Sequence, residues 1–238
     1  MSYHEERIRE IGQLNEAALN GDTDIVLELL EEGADVNWEA KRGFKYGWTP
    51  LMFAASEGHI DILDILLDYG ADIDARDNDG YSALMHAIDR REIDAAEFLI
   101  KEGAYLHYED FDCGHNVLTL CASSGDLHLF DLLIINGATD INHTDCYKMS
   151  PLMNAIWYEK YDIAERLIQL QCELDFQSDG YRHKGFTALM FACYLGNFKI
   201  VKKLVENGCD TTIKSEEGQT ALDIAKEKGH VDIVKYLK

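Results

Sequence analysis

The apolar positions of this chain fall into short runs at helical spacing, and the runs come in pairs. The cleanest pair is Leu51, Ala54 and Ala55 followed by Ile62, Leu63, Leu66 and Leu67. Residues three and four apart share one side of a helix, so each run predicts a short amphipathic helix. The first is lined by small alanines, which let a neighbouring helix approach closely. Gly58 separates the two helices, and Gly70 stands where the second must end in a left-handed turn. Thr49 is placed to cap the first helix, and Pro50 occupies its first position, where a missing N–H costs nothing. Beyond Gly70 the pattern turns polar, and Asn78-Asp79-Gly80 predicts a reversal at the tip of an extended finger.

This cassette recurs down the chain. Aligned on the leucine of Thr49-Pro50-Leu51, copies fall at Leu51, Leu84, Leu118, Leu152, Leu189 and Leu222, with a truncated copy at Leu14. The spacings are 37, 33, 34, 34, 37 and 33 residues. A period of this length belongs to a stack of small units, none of which can bury its apolar face without its neighbours. The phrases Thr49-Pro50-Leu51-Met52-Phe53-Ala54-Ala55 and Leu66-Leu67-Asp68-Tyr69-Gly70-Ala71-Asp72 resemble the ankyrin repeat, and the resemblance covers nearly the whole chain. It implies an all-α ankyrin-repeat solenoid of about seven helix-pair units with β-hairpin-like fingers, elongated and right-handed. Residues 1–238 are expected to form one domain. Residues 1–37 would be an N-terminal cap repeat, 38–208 the internal repeats and 209–238 a C-terminal cap repeat. Lys226, Glu227 and Lys228 would keep the outer face of that last repeat wet.

The copies also differ. Two fingers, near 38–48 and 176–186, carry four extra residues, and both are basic and aromatic. Insertions in a repeat array map to loops on one face, often the binding face. Arg91 and Glu159 stand where Gly58 is expected, and Gln171 replaces the capping Gly70. These departures predict local bending or loosening in the middle of the stack.

Charge narrows the choice of partner. The chain has 44 acidic and 22 basic side chains, a net of −22. Residues 1–175 hold 36 acids and 12 bases, whereas 176–238 hold 8 acids and 10 bases. A field of this sign repels phosphate, which argues against nucleic acid and anionic membranes, and it attracts a basic protein. An acidic surface also simply keeps a protein soluble. No apolar run is long enough to span a bilayer, and the first twenty residues lack the apolar stretch of a secretory leader. Cys121, Cys172, Cys193 and Cys209 replace small residues inside the repeat phrases, as buried thiols do, and a reducing cytoplasm is the expected compartment.

No phosphate loop, nucleophile motif or zinc-type cysteine pair is present, so no enzyme activity and no cofactor is expected. Cys113, His115, His143 and Cys146 lie on adjacent predicted fingers, but their spacing follows the repeat rather than a ligand rule, so no metal is assigned.

The resemblance places a partner on the concave side, made by finger tips and the exposed ends of the first helices. There the repeat aligns Trp48, Tyr81, His115 and Phe186 just before the cap residue. Asp89 and Arg90, Trp157 and Tyr158, and Tyr194 fall at helix ends. Asp77, Asp79 and Asp112 lie between, and the long fingers add Tyr46 and Tyr181. Aromatic residues and arginine are the types that anchor interfaces. The alternative is that each aromatic packs on its own neighbouring finger. The expected function is a protein-interaction module, monomeric when unbound, for a basic partner. Its most concrete form is an inhibitor, since acidic single-domain ankyrin proteins resemble immunity proteins that neutralise toxins. The alternatives are an adaptor that recruits a client and, more distantly, an enzyme or small-molecule binder.

Overall fold

A computed structural model describes residues 12–41, 45–180 and 183–238. Among the described residues it has fourteen helices and no strand, and the helices come as seven pairs. The pairs are α1 (Gln13–Asn20) with α2 (Thr23–Glu31), α3 (Pro50–Ser56) with α4 (Ile60–Asp68), and α5 (Ala83–Arg90) with α6 (Ile93–Lys101). Then follow α7 (Val117–Ser124) with α8 (Leu127–Ile135), and α9 (Pro151–Trp157) with α10 (Tyr161–Gln169). The last are α11 (Ala188–Leu195) with α12 (Phe198–Glu206), and α13 (Ala221–Lys228) with α14 (Val231–Tyr236).

The chain divides into two compact units. The first comprises Met1–Asp112 with Ile135–Gly137, and the second Cys113–Ile134 with Ala138–Lys238. Within the first unit α3 packs between α1 and α5, while α4 packs between α2 and α6 in a second layer. Within the second, α9 packs between α7 and α11, and α13 continues that row. The outer row runs α10, α12, α14. α3 is buried on every side, so it reads as apolar from Pro50 to Ala55. Leu51, Met52, Phe53, Ala54 and Ala55 are all at most 1% exposed. A buried side chain of this size contributes roughly 1.5–3 kcal/mol.

The caps act as the sequence requires. Thr49, Ser82, Ser150 and Thr187 accept from the backbone N–H three residues on, at 3.3 to 3.4 Å, and Asn116 accepts from Leu118 and Thr119. Pro50 and Pro151 sit at the first helical position. Arg91, Glu159 and Gln171 depart from expectation in a specific way. They adopt the left-handed conformation that glycine would have supplied, with φ of 64°, 59° and 58°. Glu159 N donates to Ile156 O and Lys160 N to Ala155 O, the pattern that Gly58 and His59 make to Ala55 and Ala54. The turn is therefore retained at these sites rather than loosened.

The fingers are pinched by single backbone bonds rather than by ladders. Asp77 N donates to Tyr81 O at 3.0 Å, beside an isolated bridge between Arg76 and Ser82. The two long fingers keep the same pinch. Ala40 N reaches Trp48 O at 2.8 Å, and Ser178 N reaches Phe186 O at 2.9 Å. In each, four more residues separate the two ends of that pinch than separate Asp77 from Tyr81. Successive tips also touch. Phe111 N donates to Asp79 O at 2.7 Å, and only glycine at position 80 allows it. There φ is +86°, and a Cβ would stand 2.9 Å from the Phe111 nitrogen. Among the described residues no helix is long and apolar enough to cross a membrane.

Candidate partner-binding faces

The residue before the first-helix cap accepts the pinch bond of the long finger at Trp48, and there it is buried. Trp48 is 6% exposed, with its ring centroid 3.9 Å from His86 and 5.2 Å edge-on to Phe53. The Lys45 ammonium lies 4.4 Å over the Trp48 ring and 3.9 Å from the Glu57 carboxylate. Trp48, expected as a partner anchor, instead packs on Phe53 of α3 and His86 of α5. Asp77 is also corrected. It is buried, accepts from the backbone N–H groups of Asp79 and Tyr81, and lies 2.8 Å from His86 Nε2. Its carboxylate holds the finger turn and is not a surface charge.

Around this closed centre lies an open acidic rim. Asp79, Asp89, Arg90 and Asp112 are exposed, Tyr46 is exposed, and Tyr81 is half-buried and stacked on His86 at 5.2 Å. Burial raises the Tyr81 hydroxyl well above its usual range. Asp110, Asp89, Asp77 and Asp79 then push it further in the same direction. Carboxylates of two successive fingers and one helix end thus act on one phenol. Among the described residues Asp79, Asp89 and Asp112 form no ion pair.

In the second unit the matching residue of the long finger is also covered. Phe186 is 7% exposed and packs on Phe191 at 5.4 Å, so it too is largely interior. Trp157 lies half-buried against His183 at 5.0 Å, Phe191 at 5.6 Å and Tyr194 at 6.3 Å. Tyr194 is half-buried, and the Lys228 ammonium sits 4.3 Å over its ring. Trp157 and Tyr158, expected to act together, are separated. Tyr158 follows the end of α9 and is 52% exposed, away from this cluster. His115 lies 3.6 Å from the buried Asp145 carboxylate, and His143 Nε2 meets the Gly114 carbonyl. Tyr181 lies outside the described residues.

His183, Phe186 and Tyr194 form one wall of a groove of about 800 Å³. Its opposite rim carries Glu216, Glu217, Glu227 and Lys228 from the last repeat. Lys184 bridges the rim, 2.8 Å from Glu216 and 3.5 Å from Asp179. The repeat alignment places Glu227 and Lys228 level with the aromatic ends of α9 and α11, whereas nothing in the repeat marks Glu216 and Glu217.

Residues 14–110, 104–178 and 166–238 match the family model for ankyrin repeats, given as three copies. The chain belongs to the ankyrin repeat family. Its fold is similar to the crystal structure of the human ASB11 ankyrin repeat domain, with a TM-score of 0.77 at 21% identity. That match covers 95% of this chain and 97% of the other. Among curated relatives, it is 29% identical over 187 residues to a transient receptor potential cation channel subfamily A member 1 homolog of Caenorhabditis elegans. It is 28% identical over 231 residues to the ankyrin repeat protein nuc-2 of Neurospora crassa. These alignments cover 79% and 97% of this chain, but only 15% and 21% of the length of those relatives. An ankyrin array is a protein–protein interaction scaffold, and the fold is typically non-enzymatic.

Proposed function

We propose that this ankyrin array binds a basic protein, and that the acidic rim around Tyr81 receives a lysine or arginine side chain of that partner. The observation that supports it is the set of exposed carboxylates, Asp79, Asp89 and Asp112, around the half-buried Tyr81 ring, whose hydroxyl Asp89 and Asp79 push upwards. A phenol ring with several carboxylates nearby offers a cation both a π face and counter-charge. The exposed members, Asp79, Asp89 and Asp112, also steer a positive partner towards the face before contact.

Of the two roles considered for such a module, the structure supports the adaptor over a toxin inhibitor. An adaptor needs two interaction surfaces of different chemistry. The first unit offers an acidic rim, and the second an aromatic groove whose cation, Lys228, is already supplied by the chain itself. The curated relatives also carry their repeats within much longer chains.

The test is association kinetics with a fluorescent decalysine peptide, with a decaglutamate peptide as control. The association rate should fall about tenfold or more between low and physiological salt, while dissociation changes less. The triple change Asp79→Asn, Asp89→Asn and Asp112→Asn should remove most of that salt dependence and leave thermal stability unchanged. An association rate indifferent to salt would remove the rim from the mechanism.

A further inference from the structure

We propose that Cys113 and Cys146 form a reversible disulfide across two neighbouring finger tips of the second unit, made by exchange with a low-molecular-weight disulfide such as glutathione disulfide. Their sulfur atoms are 2.6 Å apart. The backbone brings them there. Cys146 N donates to Cys113 O at 2.7 Å, and this is the rung that joins successive tips elsewhere. The same contact links Phe111 to Asp79, Asp179 to Tyr147 and Glu216 to Lys184. The fold therefore fixes the two residues side by side whether or not they are cysteine. No large backbone movement is needed to bond them, which is the usual obstacle to a disulfide between two chosen positions.

Access separates these thiols from the rest. Cys146 is exposed and Cys113 partly so, while Cys121, Cys172, Cys193 and Cys209 are buried. Burial raises the thiols of Cys172, Cys193 and Cys209 to about 12 and that of Cys121 further still. Those four remain protonated near neutrality and serve as internal controls. In the reaction the Cys146 thiolate attacks one sulfur of glutathione disulfide and releases a first glutathione thiolate. The Cys113 thiolate then attacks the Cys146 sulfur of the mixed disulfide and releases the second. Two cysteine thiols are oxidised to one disulfide, one glutathione disulfide is reduced to two glutathiones, and the two cysteine protons pass to solvent and the leaving thiolates.

The position gives the bond a consequence. Cys146 and Tyr147 line the aromatic groove, and Tyr147 O accepts from Asp179 N at 2.6 Å. A disulfide at Cys146 ties down the finger that forms one edge of that groove.

The test uses the full chain, reduced and then exposed to excess glutathione disulfide, quenched by alkylation and mapped by mass spectrometry. The expected product is one Cys113–Cys146 cross-link, reversed by dithiothreitol, with the other four cysteines alkylated only after denaturation. Oxidation should raise the melting temperature by about 5 °C, and this gain should vanish in Cys113→Ser. In that variant Cys146 should accumulate a stable glutathione adduct, because the resolving thiol is gone. Separate glutathione adducts on Cys113 and Cys146 of the unaltered chain, with no cross-link, would overturn the proposal. So would unchanged alkylation of both after oxidation, or zinc that protects both thiols at equimolar concentration.

Discussion

The two long fingers are built alike and end differently. Lys45, Trp48 and Phe53 of the first correspond to His183, Phe186 and Phe191 of the second. Trp48 N donates to Lys45 O, as Phe186 N does to His183 O, each at 3.1 Å. In the first unit the small Ser56 follows on the helix, and Lys45 lies over Trp48 towards Glu57. Beyond Trp48, His86 is locked by the buried Asp77, and the site is closed. In the second unit the position of Ser56 is taken by Trp157 and, one repeat on, by Tyr194. Both rings meet His183, and Tyr194 with His183 forms the wall of a groove. One scaffold thus yields a sealed centre ringed by carboxylates, or an open aromatic cleft, by exchanging a serine for large rings at one helix position.

The strongest way to break this comparison is at the pinch of the fingers. Asp77 and Ser178 occupy equivalent places. Asp77 satisfies two backbone N–H groups and His86, whereas Ser178 donates one bond to the His183 carbonyl. Asp77→Ala should cost about 3 kcal/mol in urea unfolding, because it orphans buried donors. Ser178→Ala should cost about 1 kcal/mol. Equal losses would mean that the two fingers are not held by different chemistry.

The next effect separates two adjacent aromatics. Trp157→Ala should destabilise by about 2 kcal/mol, since half of its ring packs on Phe191 and His183. Tyr158→Ser should stay within about 0.5 kcal/mol of the parent. A large loss at Tyr158 would contradict its exposed position.

The smallest effect concerns the backbone. Gln171→Gly should stabilise the second unit by about 1 kcal/mol, because glycine adopts a φ near 58° without strain. Calorimetry showing a lower melting temperature would mean that the glutamine side chain compensates for its conformation.

The repeat register, the caps and the helix pairs were legible in the sequence because each rests on local rules. Thr49 before Pro50 and Gly70 after Leu67 need no distant partner to be interpreted. The site was less legible, because the same alignment position serves packing in one repeat and exposure in the next. Trp48 and Phe186 stand at matching positions, but Trp48 is covered by His86, one repeat away, and Phe186 by His183, Phe191 and Tyr194. Asp77 reads as one more acid in an acidic chain, and only the bonds to Tyr81 and His86 reveal a structural role. Likewise Arg91, Glu159 and Gln171 look like broken caps until their φ values show the turn intact.

The account stands most directly on where a basic ligand lands. A nitrogen-15 NMR titration of the chain with decalysine reads this residue by residue. It predicts shifts that saturate together at Asp79, Tyr81, Asp89 and Asp112, fade as salt rises, and leave His183 and Tyr194 unmoved. Shifts confined to the groove around His183 and Tyr194, or spread evenly over every acidic residue, would contradict it.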